Sequence, residues 1–120
     1  MCGIVGSIGR GNDTVEMLMD GLRSLEYRGY DSAGSALAPN LQLLRKSGEL
    51  DALTGVVNAN EPTGTYGIGH TRWSTHGPPT DRNAHSHTDE NGRVAVVHNG
   101  IIENYAELKN ELEAQGVTFS

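Results

Sequence analysis

The only cysteine of the chain is its second residue, with nothing but the initiator methionine in front of it. A small residue in that place permits removal of Met1, which would leave Cys2 with a free α-amino group. A terminal amine has a pKa of ~7.7–8.0 and a free thiol one of ~8.5. One amino acid then carries a nucleophile and, beside it, a base of suitable strength. Position alone also fits a small buried hydrophobe at the start of a strand, the usual fate of a free cysteine. While Met1 remains, the amine is a peptide nitrogen and the base is blocked.

Two other clusters have the chemistry to complete such a site. Asn99-Gly100 follows a valine-rich run. A side-chain amide next to a glycine N–H can aim two donors into one cavity, as an oxyanion hole requires, at roughly 3–4 kcal/mol per donor. The same dipeptide is a common turn. Between residues 71 and 76 the chain reads Thr-Arg-Trp-Ser-Thr-His. Arg72 offers a planar fork suited to a carboxylate, hydroxyls such as that of Thr75 can add to it, and Trp73 can cover a small ligand. A structural arginine beside a packed tryptophan is the alternative. His85 and His87, two apart on an extended segment, point the same way. They lack the cysteine pair or clustered carboxylates of a zinc site, so no metal is expected. A phosphate cradle of the P-loop type is absent from the sequence.

These clusters need a scaffold, and 120 residues make one compact domain at most. Fifteen acids against nine bases give a net charge of −6, which argues against a nucleic-acid partner because no basic stripe can displace phosphate counterions. A single cysteine excludes an internal disulfide framework and fits a reducing, cytoplasmic setting. No stretch is long and apolar enough to span a bilayer, and the start does not read as a signal peptide.

The periodicity predicts a buried strand over residues 4–8, then a helix over 14–27 with Val15, Leu18, Leu22 and Leu25 on one face. Asp13 and Glu16 form a capping-box pattern for it, and Gly29 stops it. A strand near 35–38 pairs as a hairpin with one over 41–45; a short helix follows over 49–58, and a strand opens at Tyr66. Residues 74–91 lack apolar periodicity, and a loop of that length in a compact domain is usually functional. Residues 93–98 read as a strand buried on both faces. Asn104 is placed to cap a helix whose Tyr105, Leu108 and Leu112 share a face, stopped by Gly116. Val117 is expected to start another strand, so the chain looks cut.

Taken in order, Cys2-Gly3-Ile4-Val5-Gly6, Leu25-Glu26-Tyr27-Arg28-Gly29-Tyr30-Asp31-Ser32-Ala33-Gly34, His70-Thr71-Arg72-Trp73-Ser74-Thr75-His76-Gly77, Asn83-Ala84-His85 and His98-Asn99-Gly100-Ile101-Ile102-Glu103-Asn104 resemble the glutaminase domain of the glutamine–fructose-6-phosphate aminotransferase family. The resemblance spans nearly the whole chain. It implies a class II glutamine amidotransferase of the N-terminal-nucleophile hydrolase type, an α+β fold in which an αββα sandwich is built from antiparallel sheets. Residues 1–120 would be the N-terminal part of that domain, truncated, with the isomerase domain absent. By the same resemblance the N-terminal cysteine hydrolyses glutamine to glutamate, and the ammonia serves conversion of fructose 6-phosphate to glucosamine 6-phosphate, without a cofactor.

The resemblance makes Cys2 the nucleophile and Asn99 with Gly100 the oxyanion donors. It gives Arg72 the α-carboxylate of glutamine, with Trp73, Thr75 and His76 completing the pocket and its lid. Arg28 and His85 become supporting residues beside it. The family's acid for the α-amino group of glutamine falls beyond Ser120. Glutamine and, in the isomerase domain, fructose 6-phosphate are the implied partners, within a homo-oligomeric protein that binds neither nucleic acid nor membrane. Two alternatives stand: a class II amidotransferase feeding ammonia to phosphoribosyl pyrophosphate or aspartate, and an inert fragment.

Overall fold

The computed structural model describes residues 2–9, 13–73, 78 and 80–119, with Arg28 described by its backbone alone. Its centre is a four-stranded antiparallel sheet in the order β1-β4-β2-β3, formed by β1 (Gly3–Ile8), β2 (Ser32–Ala38), β3 (Gln42–Ser47) and β4 (Tyr66–Arg72). The β2–β3 hairpin is the one expected, with β2 reaching back to Ser32. β1 joins β4 from far along the chain, Gly3 opposite Thr71.

The two central strands carry small residues at alternating points, glycines in β4 and Ala, Gly and Ser in β2, and this lets other layers come close. An added Cβ at Gly67 would lie 3.0 Å from a Leu18 methyl, and one at Gly69 would lie 3.3 Å from Leu22. Helix α1 (Thr14–Ser24) seats Leu18, Met19 and Leu22 in that space, and helix α2 (Leu50–Asn60) adds Leu50, Leu53 and Val57. Each buried leucine contributes roughly 1.5–3 kcal/mol. The Tyr30 hydroxyl accepts from the Leu50 amide at 2.6 Å, which ties down the start of α2.

The opposite face of the sheet is not closed. Ala36, Ile68 and Ile8 face Val94 and Ala95 across a cavity of about 760 Å3. A short ladder of β5 (His87–Thr88) with β6 (Ala95–Val96) therefore stands as a second sheet layer, in keeping with the expected α+β sandwich. Helix α3 (Tyr105–Ala114) has no buried residue. Among the described residues no helix is long and apolar enough to cross a membrane.

Several local expectations are corrected. The first helix stops at Ser24, and Glu26–Arg28 form a separate 3-10 turn. Neither Asp13 nor Asn104 makes a side-chain cap. Both lack the extended backbone an N-cap needs, Asp13 at φ −78°, ψ −13° and Asn104 at φ −99°, ψ 28°. The expected strand over 93–98 shrinks to two residues and is not buried, with Val94 and Val96 more than half exposed. The Asp89 carboxylate accepts from the Arg93 and Val94 amides at 2.6 and 2.8 Å, bending the approach into a side-chain-capped turn. Residues 117–119 do not form a strand. The Val117 amide is used instead to cap α3, donating to the Leu112 carbonyl at 3.0 Å, while Gly116 takes the positive φ of 90° that such a cap favours.

Candidate active site

Cys2 leads into β1, one residue before the Gly3–Thr71 pair, so the antiparallel register carries its sulfur to the end of β4. The Trp73 amide donates to Cys2 Sγ at 3.4 Å. The Gly3 amide donates to Thr71 Oγ1 at 3.1 Å, in a buried position. An added Cβ at Gly3 would lie 2.6 Å from Leu25 and 2.9 Å from that hydroxyl, so the residue after the thiol has room only for hydrogen.

A cavity of about 240 Å3 opens in front of the sulfur, lined by Cys2, Arg72, Trp73, Asn83, His85, His87, His98 and Gly100. It is smaller than the roughly 300–1,000 Å3 of sites for drug-sized ligands, a size suited to one amino acid. Arg72 is 8% exposed, and its Nη1 donates to the Pro78 carbonyl at 3.4 Å. Trp73 is half exposed, one edge of its ring over the Gly29 backbone.

The far wall comes from two non-regular segments. Residues 80–86 are stitched to β3: Asp81 accepts from the Ser47 amide and hydroxyl at 2.6 and 2.8 Å and pairs with Lys46 at 2.9 Å. Those donors hold the Asp81 carboxyl down at about 2. Arg45 reaches the Arg82 carbonyl at 3.2 Å. The segment then lies on β2 so closely that a Cβ at Gly34 would fall 1.7 Å from the His85 carbonyl oxygen. The second segment is the turn at residues 98–100. Asn99 Nδ2 donates to the Cys2 carbonyl at 3.2 Å, and Asn99 Oδ1 lies 2.6 Å from His70 Nε2. Gly100 abuts the His98 ring, which an added Cβ would meet at 3.0 Å.

Three imidazoles meet at the cavity, His85 and His87 lining it and His70 behind them. His70 and His85 stack at 4.3 Å with an angle of 32° between their planes, and His85 meets His87 edge-on at 4.5 Å. Burial is the first cause that lowers all three. His85 is pushed down to about 3, helped by His70, His87 and Arg72. They are neutral at physiological pH, so the fixed positive charge on the wall is that of Arg72. Among the described residues no group of three or more His, Cys, Asp or Glu side chains is arranged to hold a metal ion.

Of the residues expected from sequence, Cys2, Arg72, Trp73, His85 and Gly100 share one cavity, and Asn99 touches Cys2 behind Gly100. Thr75 and His76 lie outside the described residues, and of Arg28 only the backbone is described, closing its 3-10 turn. Asn83, His87 and His98 also line the cavity, and His70 backs it. The spacing of His85 and His87 is the local signal that could have drawn attention to His87. Asn83, His70 and His98 stand inside the motifs that carry the resemblance, but nothing local gives them a role.

Across this cavity a cysteine at the end of an antiparallel sheet faces an arginine and an Asn-Gly turn. The α+β fold is that of the N-terminal-nucleophile amidotransferases. A family described as the glutamine amidotransferase domain matches residues 70–120. The chain also resembles a solved glutamine phosphoribosylpyrophosphate amidotransferase from B. subtilis, with a TM-score of 0.77 and 26% identity, covering 100% of this chain and 26% of that one. A structure described as the allosteric regulatory enzyme of purine biosynthesis superposes with a TM-score of 0.81, again at 26% identity and with the same coverage.

Curated proteins similar to this chain over nearly its whole length include glutamine–fructose-6-phosphate aminotransferases [isomerizing]. It is 58% identical to the one from Thermus thermophilus over 121 residues, 99% of this chain. It is 61% identical over 122 residues to the one from Symbiobacterium thermophilum. The chain spans about 20% of the length of these relatives.

Proposed function

We propose that the protein carrying this chain hydrolyses glutamine with Cys2 as nucleophile, once Met1 has been removed, and passes the ammonia to fructose 6-phosphate. The α-amino group of Cys2 takes the thiol proton as Sγ bonds to the side-chain amide carbon of glutamine. Asn99 Nδ2 and the Gly100 amide steady the oxygen that becomes negative. The same amine returns the proton to the leaving nitrogen, ammonia departs, and a thioester to Sγ remains. Water then attacks the thioester, releasing glutamate and the thiol.

Arg72 holds the α-carboxylate of glutamine in this scheme, with Trp73 over the opening and Thr75 and His76 beside it. His85 and Arg28 support the pocket. One observation carries the reading: Cys2, Arg72 and Gly100 line one cavity of about 240 Å3, although 97 residues separate Cys2 from Asn99, which is bonded to it. The relatives support this acceptor, since 58–61% identity to the fructose-6-phosphate enzymes far exceeds 26% to the phosphoribosylpyrophosphate enzyme. A cytoplasmic homo-oligomer with a separate isomerase domain belongs to the same reading.

The test uses the longest natural protein that contains this chain. Intact mass should show one methionine lost, and Cys2→Ala should abolish glutamine hydrolysis. A Cys2→Ala variant with undiminished hydrolysis sinks the reading, and so does a fully active protein that keeps Met1.

A further inference from the structure

We infer that His70 is a positioning residue for this reaction, donating its Nε2–H to Asn99 Oδ1 so that the NH2 of Asn99 is held toward Cys2. The inference rests on the proposed role of Asn99 as an oxyanion donor. It begins with the two partners of one amide. The Cys2 carbonyl can only accept, so the end of Asn99 that lies 3.2 Å from it must be the NH2. The other end is then the oxygen, and it lies 2.6 Å from His70 Nε2. An oxygen there requires Nε2 to carry a proton.

The surroundings of His70 fit that tautomer. The ring is fully buried in β4. Burial lowers its pKa first, and the nearby Arg72 and His87 add to this against the opposing bond to Asn99. A neutral imidazole has one N–H, and Nε2 holds it. Nδ1 is left as a bare lone pair, and it is buried with no hydrogen-bond partner among the described residues. Proteins leave an N–H stranded in such a place more rarely than an acceptor. The ring plane is fixed by the stack on His85 at 4.3 Å, and the His85 backbone is pressed against Gly34.

The need for such a brace is visible at residues 98–104, all of them exposed and none in a strand or helix. A donor on an exposed turn would sample many orientations. The bond from His70 fixes Asn99 to the most buried part of the sheet, and by polarising the amide it also strengthens the opposite N–H as a donor.

The experiment measures glutamine hydrolysis by the longest natural protein containing this chain, with Cys2 at its N-terminus. His70→Phe keeps a ring of similar bulk and removes the donor. We expect it to lose about 10–100-fold in kcat with KM within threefold, somewhat less than the 10²–10³ of a lost oxyanion donor, with His70→Gln regaining part of the loss. Combining His70→Phe with Asn99→Ala should cost no more than Asn99→Ala alone, because the brace has nothing left to hold. A His70→Phe variant within threefold of the parent in kcat, or losses that multiply in the double variant, overturns the inference while Asn99 keeps its role. An Asn99→Ala variant with unchanged kcat overturns the oxyanion reading itself, and His70 falls with it. If His70→Phe does not fold, 15N NMR of the unaltered protein decides: a proton on Nε2 near neutral pH supports the assignment, and a proton on Nδ1 overturns it.

Discussion

The sheet with its two helices and the stretch from residue 89 to 119 treat apolar side chains in opposite ways. In the first, Leu18, Leu22, Leu37, Leu50 and Leu53 are 0–1% exposed. In the second, no described apolar residue is buried: Leu112 is 39% exposed and Ile101 reaches 59%. The candidate site straddles this boundary. Its thiol and guanidinium sit at the ends of β1 and β4, strands locked into the packed sheet, whereas its Asn-Gly turn belongs to the exposed stretch and is held by two side-chain hydrogen bonds to Cys2 and His70. Apolar burial thus fixes one wall of the site, and directional polar contacts fix the other.

The contrast is testable by removing support from each side in turn. The largest effect should come from Leu53→Ala, a side chain with no exposed surface in the packed body. It should cost about 2–5 kcal/mol in denaturant unfolding of this chain. A loss below about 1 kcal/mol would show that the body is not packed as described. Gly34→Ala should come next, because its Cβ would fall 1.7 Å from the His85 carbonyl. The loop must move off β2, at about 1–3 kcal/mol, and glutamine hydrolysis by the parent protein should fall with it. Unchanged stability and activity would disprove the close seat of residues 80–86.

Acid should attack the wall of imidazoles before it attacks the Asp81 tether. Unfolded histidines take up protons as the pH falls through their ordinary 6.5, while the buried ones resist, His85 until about 3. The unfolded state therefore binds more protons in that window. Stability is fully present above pH 6.5 and declines below it, with a slope of at most about 1.4 kcal/mol per pH unit per histidine, lessened by partial exposure. Asp81 follows the same rule in a lower window: its contribution is present above the ordinary 3.8 and is lost only as the pH falls from there through about 2. Melting temperatures taken from pH 8 to pH 3 should drop first in the upper window. A flat profile down to pH 4 contradicts the buried imidazoles.

Smaller effects belong to the exposed contacts. Asp81→Ala should change stability by no more than about 1 kcal/mol, since its ion pair is solvent-screened, yet amide exchange across residues 80–86 should quicken. Unaltered exchange would mean that Asp81 does not hold the loop. Leu112→Ala in this chain should lie within about 0.5 kcal/mol of the parent. A core-sized loss there would erase the contrast between the two regions.

The legible parts of this protein are those in which a residue type and its immediate neighbours suffice. The thiol behind Met1, the apolar face of α1, the presence of α2, the β2–β3 hairpin and the stop at Gly116 all follow from local stereochemistry. The resemblance of the motifs reached further, to the fold and to an expected site whose Cys2, Arg72 and Gly100 line one cavity. Capping by Asp13 and Asn104 is suggested by composition but fails, because a cap depends on backbone angles that composition does not reveal. Residues 93–98 suggest a buried strand and form an exposed one of two residues, because valine reports a preference for burial and not whether any layer arrives to cover it.

Tertiary structure alone decided what lies next to what across the chain. The antiparallel pairing of β1 with β4 sets Cys2 beside Trp73, and the fold then lays Asn99 against them. The same convergence brings His85 onto Gly34 and buries His70 where its single proton faces an amide oxygen. Hydrogen-bond direction and tautomer are properties of such a meeting. They have no period along the sequence, since each depends on the partner that folding supplies.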